Sequence, residues 1–293
     1  MTKEESIKLW GNFSDTYMQT IGFRQFKKEN KEDSKILKNN IKYKNIHRGK
    51  RCFVLGNGPS LNYVDFEKLR DEYVFTVNEL MRHENFFSLN SNYHFIADPE
   101  YFKLQPGKEE DQKLIEIIKK MESAESAPVF FAPIEGRKNV EEYGWMEQLE
   151  CSYFCSKLFF YQGFQKKIDF AKFVPCFQAV VHWAVAMAVY MGFGEIYLLG
   201  CDATNAITDI ASFKGIEYDE LYAYHLNVED KEMVIERHKK RGLEATIRGY
   251  NRIFEVFREL FNWCERQGVS LVNCSAETVI ESIPRKDLAE VLK

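Results

Sequence analysis

The sequence predicts an α/β protein built on a mostly parallel sheet with helices on both faces. Short runs rich in Val, Ile and Phe alternate along the chain with longer amphipathic segments, an arrangement typical of parallel sheets. The first strong apolar run also ends abruptly in a turn with two glycines, Gly56-Asn57-Gly58-Pro59-Ser60. Because ligand-binding turns in such sheets follow the carboxyl ends of strands, these observations together predict a Rossmann-like body.

The chain divides into a predicted helical N-terminal arm, residues 1–48, and a predicted nucleotide-binding α/β domain, residues 49–293. Apolar side chains spaced by three and four predict one helix face that packs the arm on the body: Trp10, Phe13, Tyr17 and Ile21. Residues 1–50 hold 12 Lys/Arg and 6 Asp/Glu, a net charge of +6 in a chain of −4. The arm therefore either contacts an anionic surface such as the inner membrane or is a solvated extension.

Apolar runs predict strands at residues 51–55, 73–77, 93–97, 128–132, 195–199 and 269–273. Amphipathic patterns predict helices at residues 108–122, 178–191 and 243–266. The segment 203–241 shows the least regular pattern and carries several tyrosines and histidines.

Several function classes are excluded by composition. No run of 18 apolar residues predicts a membrane span, and the first 30 residues lack the apolar core of a signal peptide. The seven cysteines have no CxxC spacing and are expected to be reduced thiols, which predicts a cytoplasmic location. No nucleic-acid-binding motif accompanies the basic arm.

The glycine turn is a candidate ligand site. Glycines at 56 and 58 allow a ligand to approach the main chain, and free amides there suit a phosphate or a ribose, although a plain tight turn has the same composition. Leu61 stands where the dinucleotide fingerprint GxGxxG requires glycine, and the phosphate loop GxxxxGK[ST] is absent. The turn therefore belongs to neither of these two motifs.

The longer phrase GNGPSLNYVDFEKL, residues 56–69, resembles the opening of the sialyltransferases of glycosyltransferase family 42. It is equally similar to the MptE-like (DUF115) group, which includes surface-polysaccharide enzymes, flagellin-glycosylating motility factors and an archaeal pterin pyrophosphokinase. YMGFGEIYLLGCDAT and GVSLVNCSAETVIESIPR are similar to later parts of the same group. The resemblance covers residues 50–103 and 174–285 and implies a Rossmann-like fold of the GT-A-variant kind.

This resemblance implies a set of nucleotide contacts. The glycine turn would hold the cytidine monophosphate part of a CMP-sugar through Gly56, Asn57, Gly58, Pro59 and Ser60. Asn78 matches a family asparagine that contacts the nucleotide, and Asp98 stands where the sialyltransferases carry asparagine.

Further candidates come from the residues themselves. Gly200 and Asp202 end a predicted strand, where a carboxylate can hold a sugar hydroxyl or order the loop, and Thr204 follows them. Gln178 falls in the first turn of a predicted helix. His182, on an otherwise apolar helix, is expected to be a core histidine.

Inverting glycosyl transfer needs a base for the acceptor hydroxyl, and imidazole suits this near neutral pH. The resemblance implies a histidine before the last long helix. His238 lies nearest that spacing and His225 is the alternative, although either can also be a surface histidine. Tyr222 and Tyr224, with Tyr218, are candidates by analogy for stabilising the departing phosphate.

No DxD motif occurs, and a monophosphate leaving group needs less neutralisation than a diphosphate. The sequence with its resemblance therefore predicts a metal-independent, inverting glycosyltransferase without a cofactor, which moves a sialic acid-like sugar from a CMP-sugar to a bacterial surface glycan. One alternative is an MptE-like 6-hydroxymethyl-dihydropterin pyrophosphokinase using ATP and Mg²⁺, with Asp98, Asp202 and Arg82 as candidates. Another is a non-catalytic nucleotide-binding partner protein. A homo-oligomer is compatible with each.

Overall fold

The structure is a computed structural model, and it describes residues 2–98, 101–102, 104, 107–122, 127–144, 148–216, 222–223, 231–232, 236 and 240–293. One eight-stranded sheet has the order β6-β5-β4-β3-β2-β1-β7-β8, and neighbouring strands run parallel throughout. The strands are β1 (Arg51–Leu55), β2 (Val74–Val77), β3 (Tyr93–Phe95), β4 (Val129–Pro133), β5 (Cys151–Leu158), β6 (Phe173–Pro175), β7 (Glu195–Leu199) and β8 (Ser270–Asn273).

Helices precede, connect and follow these strands. They are α1 (Lys3–Tyr17), α2 (Phe23–Glu29), α3 (Lys31–Asn39), α4 (Glu109–Glu122), α5 (Arg137–Tyr143), α6 (Val180–Met191), α7 (Asn205–Ser212), α8 (Leu243–Arg266) and α9 (Leu288–Val291). A π-helical turn, Met18–Gly22, joins α1 to α2.

The core lies on both faces of the sheet. In β1, Phe53 and Leu55 belong to one buried cluster, while Cys52 and Val54 belong to the other. Side chains of α3 and α4 complete the first cluster, and those of α6 and α8 complete the second. A strand covered on both faces needs apolar residues at every position, which explains why the strands were recognisable as continuous apolar runs.

The Rossmann-like α/β prediction is confirmed. All six predicted strands are present, β1 and β7 with the predicted limits, and the helix over 243–266 is also exact in extent. The sequence prediction missed β5 and β6. Ser152, Ser156 and Lys157 interrupt the apolar pattern of β5, and β6 has only three residues. The buried Ser152 is tolerated because its hydroxyl hydrogen-bonds with the Tyr43 hydroxyl at 2.8 Å.

The arm contacts the body, but through side chains other than the predicted ones. Asn40 Nδ2 donates to the carbonyl oxygens of Tyr153 at 2.7 Å and Phe170 at 2.9 Å, and the ring of Phe23 lies 5.0 Å from that of Phe173. The predicted packing face is wrong, since its four residues are exposed: Trp10, Phe13, Tyr17 and Ile21. The physical reason is that polar side chains of α1 and of the π-helical turn after it have their partners on the body and turn the apolar face outward.

Candidate nucleotide-binding site

The strand order reverses at β1. From β1 the chain builds β2 to β6 on one side of the sheet, and then crosses over to place β7 and β8 on the other side. Connections on opposite faces leave a crevice between the carboxyl ends of two such strands, which is where doubly wound sheets bind ligands. The turn after β1, Gly56–Ser60, and the turn after β7, 200–204, meet in this crevice.

Gly56 and Gly58 allow these two turns to touch. The Gly56 amide donates to the Leu199 carbonyl, and the Gly58 amide donates to the Gly200 carbonyl, each at 2.8 Å. A Cβ atom on either glycine would overlap the carbonyl oxygen of Gly200. The amides of the two glycines themselves are not available to a ligand, because both are already bonded within the protein.

Asp202 orders the glycine turn. Its side chain is buried, and its Oδ2 accepts from the Ser60 amide at 2.8 Å while its Oδ1 accepts from the Ser60 hydroxyl. Burial raises the pKa of Asp202, and the two bonds from Ser60 oppose that shift. Of the two roles left open by the sequence, the geometry favours loop ordering. Ser60 is buried, and both its amide and its hydroxyl donate hydrogen bonds to the Asp202 carboxylate.

The C-terminal segment holds the second turn in place. The Cys201 amide donates to the Ser275 hydroxyl at 2.9 Å, and the Thr278 hydroxyl donates to the Cys201 carbonyl at 2.9 Å. The Val279 amide donates to the Asp202 carbonyl at 2.8 Å. The sequence resemblance includes this C-terminal segment but implies no role for Ser275, Thr278 or Val279. Their role is to fix the turn after β7, residues 200–204, against the segment that follows β8.

A cavity of about 150 Å³ opens between the two turns. Its described lining comprises Gly56, Asn57, Gly58, Pro59, Ala179, Val181, Gly200, Cys201, Asp202, Ala203, Thr204, Asn205, Tyr222, Tyr250, Ile253, Phe257 and Ile280. Apolar side chains from α6 and α8 face amide and hydroxyl groups, a combination that suits a nucleoside. Asn57 lines the cavity, and its buried Oδ1 has no hydrogen-bond partner among the described residues.

Four predicted contacts are absent from the described lining of this cavity: Ser60, which is bonded to Asp202, and Asn78, Asp98 and Gln178. Asn78 has a left-handed backbone, φ +42°, and its Oδ1 accepts from the Ala97 amide at 3.3 Å. Gln178 lines a neighbouring cavity of about 820 Å³, because α6 begins at Val180 and leaves Gln178 before the helix. Asp98 follows β3, away from the two turns, and its carbonyl accepts from the Tyr101 amide at 3.2 Å.

The predicted catalytic histidines His238 and His225 lie outside the described residues, as do Tyr218 and Tyr224. Tyr222 lines the cavity, and its role at the departing phosphate stays a prediction. His182 is a core histidine: it is fully buried, its Nδ1 accepts from the Ala179 amide at 3.2 Å, and its ring lies 4.3 Å from that of Phe257. Burial lowers the pKa of His182 to about 3.

The positive electrostatic potential in the described part of the cavity comes from the backbone. Its described lining includes no Lys, Arg or His, whereas the N-terminal ends of α6 and α7 both reach it through Ala179, Thr204 and Asn205. The N-terminus of a helix carries partial positive charge and attracts anions, although the Ala206 and Ile207 amides of α7 already donate to the Ala203 and Thr204 carbonyls. Tyr250 of α8 lines the cavity and donates its hydroxyl to Asp209, and burial beside that carboxylate raises the pKa of Tyr250.

A metal ion would find few side-chain ligands in the part of the chain that the structure describes. No group of three or more His, Cys, Asp or Glu side chains there is arranged to hold a metal ion. The one carboxylate in the described lining is Asp202, whose oxygens are bonded to Ser60.

Comparison with solved structures found a likeness to a bacterial enzyme. The chain is similar to the sialyltransferase CstII from Campylobacter jejuni, solved in complex with a substrate analogue, cytidine-5'-monophosphate. The two are 14% identical, the match covers 81% of this chain and 85% of that chain, and the TM-score is 0.44. No family model and no curated protein matches the chain. With so few identical residues, the chemistry of the site has to be derived from this chain's own side chains.

Proposed function

We propose that the protein is a glycosyltransferase that binds the nucleotide of a CMP-sugar between the turns after β1 and β7. The observation that carries this proposal is the cavity at the strand-order reversal, where Asn57 Oδ1 is buried without a partner among the described residues. A lone buried acceptor is costly, and an amino or hydroxyl donor of a ligand would satisfy it. The resemblance of both turns to sialyltransferase motifs supports a cytidine nucleotide.

The charge of the site supports a monophosphate. In P-loop proteins and kinases, a triphosphate is held by lysine or arginine and by magnesium on carboxylates. The described lining offers neither a basic side chain nor a free carboxylate pair. The N-termini of α6 and α7 supply partial positive charge, which suits a single phosphate bonded to a sugar. This contrast favours the transferase over the pterin pyrophosphokinase.

The acceptor would occupy the neighbouring cavity. The two cavities are lined by consecutive residues before α6 and in the middle of α8. Gln178 and Arg252 line the 820 Å³ cavity, and the adjacent Ala179 and Ile253 line the nucleotide cavity. A sugar hydroxyl there would meet the donor between the two cavities. Transfer occurs in the cytoplasm, to a bacterial surface glycan, with an imidazole taking the proton from the attacking oxygen and CMP leaving.

Thermal unfolding with CMP and with ATP, each with and without Mg²⁺, tests the nucleotide. CMP at about 100 times its dissociation constant is expected to stabilise the fold by about 2.7 kcal/mol and to raise the midpoint by about 5 °C, independently of Mg²⁺. Asn57→Ala is expected to weaken CMP binding about tenfold through loss of one hydrogen bond. Its midpoint without ligand should not fall, because the variant removes an unpartnered buried group.

Asn62→Ala is the matched control, since Asn62 is exposed five residues further along the same segment. It is expected to bind CMP as the parent does. A shift seen only with ATP and Mg²⁺ would overturn the proposal in favour of pyrophosphoryl transfer, and CMP binding that is indifferent to Asn57 would place the nucleotide elsewhere.

The base is tested with His238→Ala and His225→Ala. One of the two variants is expected to lose at least about 100-fold in the rate of CMP release from a CMP-sugar with acceptor, because general-base catalysis contributes that much or more. Both variants should keep the CMP-induced rise in the unfolding midpoint. Each variant is the control for the other, and full activity in both would contradict an imidazole base from this segment.

A further inference from the structure

The side of α1 and of the π-helical turn after it that faces the body is polar. Asn12 Oδ1 accepts from the Tyr161 hydroxyl at 2.9 Å, Asp15 pairs with Lys166 Nζ at 2.6 Å, and Gln19 Nε2 donates to the Phe173 carbonyl at 2.8 Å. The backbone approaches closely as well, because a Cβ on Gly11 would lie 2.6 Å from the Tyr161 ring. These contacts fix the rotation of α1 about its own axis.

The opposite side of the arm carries bulky apolar side chains in water, which we call the outer stripe: Trp10, Phe13, Tyr17 and Ile21. Trp10 is 67% exposed and Phe13 is 66% exposed, and their rings contact each other edge to face at 6.3 Å. Surface helices normally turn their apolar side toward the core, so this orientation is the reverse of the usual one. A contiguous exposed apolar surface marks a binding face.

Basic side chains flank the outer stripe along the chain. Lys3 precedes it by about two turns, and Arg24 and Lys28 follow Ile21; all three are exposed. Tryptophan and tyrosine next to Lys and Arg are typical of helices that lie in the interface of a phospholipid bilayer. Among the described helices, none is long and apolar enough to cross a membrane.

We propose that the outer stripe lies on an anionic phospholipid surface, with its apolar side chains at the headgroup boundary and Lys3, Arg24 and Lys28 near lipid phosphates. A second copy of the chain is the weaker candidate, because an isologous contact would bring these like charges together. The inference goes beyond the proposed nucleotide chemistry and does not depend on it. The same helix contributes Lys3, Glu4 and Ile7 to the 820 Å³ cavity, so bound lipid would hold that cavity beside the bilayer.

Vesicle co-sedimentation without nucleotide tests this surface. The full chain is expected to bind vesicles containing about one third phosphatidylglycerol in phosphatidylcholine, and to bind phosphatidylcholine alone much less. A triple variant, Trp10→Ser with Phe13→Ser and Tyr17→Ser, is expected to lose at least about tenfold in partitioning. The pair Arg24→Gln and Lys28→Gln is expected to lose about 30-fold, and added salt should have a similar effect.

Control variants remove the same chemistry outside the stripe. Ile41→Ser removes an apolar side chain that is 61% exposed, and the pair Lys68→Gln and Lys119→Gln removes two exposed charges from the body. Both controls are expected to bind vesicles as the parent does. Because every substituted side chain is exposed, far-UV circular dichroism and the CMP-induced midpoint shift should be unchanged in all variants.

Three outcomes would overturn the inference. They are absence of vesicle binding by the parent chain, equal binding to neutral and anionic vesicles, or equal loss in the control variants. Light scattering measures the oligomeric state and so tests the alternative that a second copy covers the stripe. A parent chain that is a dimer and binds no vesicles, together with a monomeric triple variant, would assign the stripe to a second copy. A failed CMP test with intact vesicle binding would reject the nucleotide proposal alone.

Discussion

Lowering the pH from 7 to 5 is expected to reduce the free energy of unfolding by about 4 kcal/mol, chiefly through His94 and His182. Both are fully buried, and burial lowers the pKa of each from 6.5 to about 3. In the unfolded chain the two imidazoles bind protons near pH 6.5, whereas in the folded chain they stay neutral. Their contribution is therefore fully present above pH 6.5 and is lost progressively as the pH falls toward 3.

Urea unfolding at a series of pH values measures this loss. In the double variant His94→Gln with His182→Asn, the unfolding free energy should be lower at pH 7 and should change much less between pH 7 and 5. Each variant keeps an acceptor for one existing partner, Thr76 for His94 and the Ala179 amide for His182. An acid loss of similar size in the double variant would assign the effect to other groups.

Gly56→Ala is expected to destabilise the fold by about 3 kcal/mol and to abolish CMP binding. The added Cβ would overlap the backbone carbonyl oxygen of Gly200, which cannot move without breaking its bond to the Gly58 amide. The two turns would separate, and the lining of the cavity would separate with them. Urea unfolding gives the stability, and the CMP-induced midpoint shift gives the binding.

Gly194→Ala is the matched control for Gly56→Ala. Gly194 is also next to the sheet, at the start of β7, but its added Cβ would meet its nearest neighbour at 3.6 Å, an ordinary contact. We expect a stability change within about 0.5 kcal/mol and unchanged CMP binding. Equal effects of the two substitutions would mean that the close approach of the turns is not what requires glycine at 56.

The local sequence pattern was sufficient to predict the central strands, but it was insufficient to predict β5 and β6 at one edge of the sheet. A strand buried on both faces, such as β1, has apolar residues at successive positions, and that run is visible without any knowledge of its neighbours. The interior of β5 is different, because Ser152 is buried there only through its bond with Tyr43, more than 100 residues earlier. Periodicity within a window cannot contain such a partner.

The candidate site was predicted in position but only partly in role. Spacing and resemblance located the turns at Gly56 and Gly200, yet the reason for the glycines is a contact between turns far apart in the chain. Asp202 and Ser60 are 142 residues apart, so their mutual satisfaction was also invisible. The same limit applies to α1: its pattern revealed an apolar face, but the polar contacts that turn this face outward come from residues 161–173.

The pairing of β1 with β7 has a consequence for the growing chain. Arg51 pairs with Glu195, so one edge of β1 stays open while all residues between them are being synthesised. An open strand edge is a template for pairing with other chains, and such long-range pairing forms slowly. The turns that follow β1 and β7 meet only once this edge has closed, and these turns line the cavity. A metabolite that binds the finished cavity draws newly made chains toward the closed sheet by mass action, so supply of the proposed nucleotide would also favour the protein's own maturation.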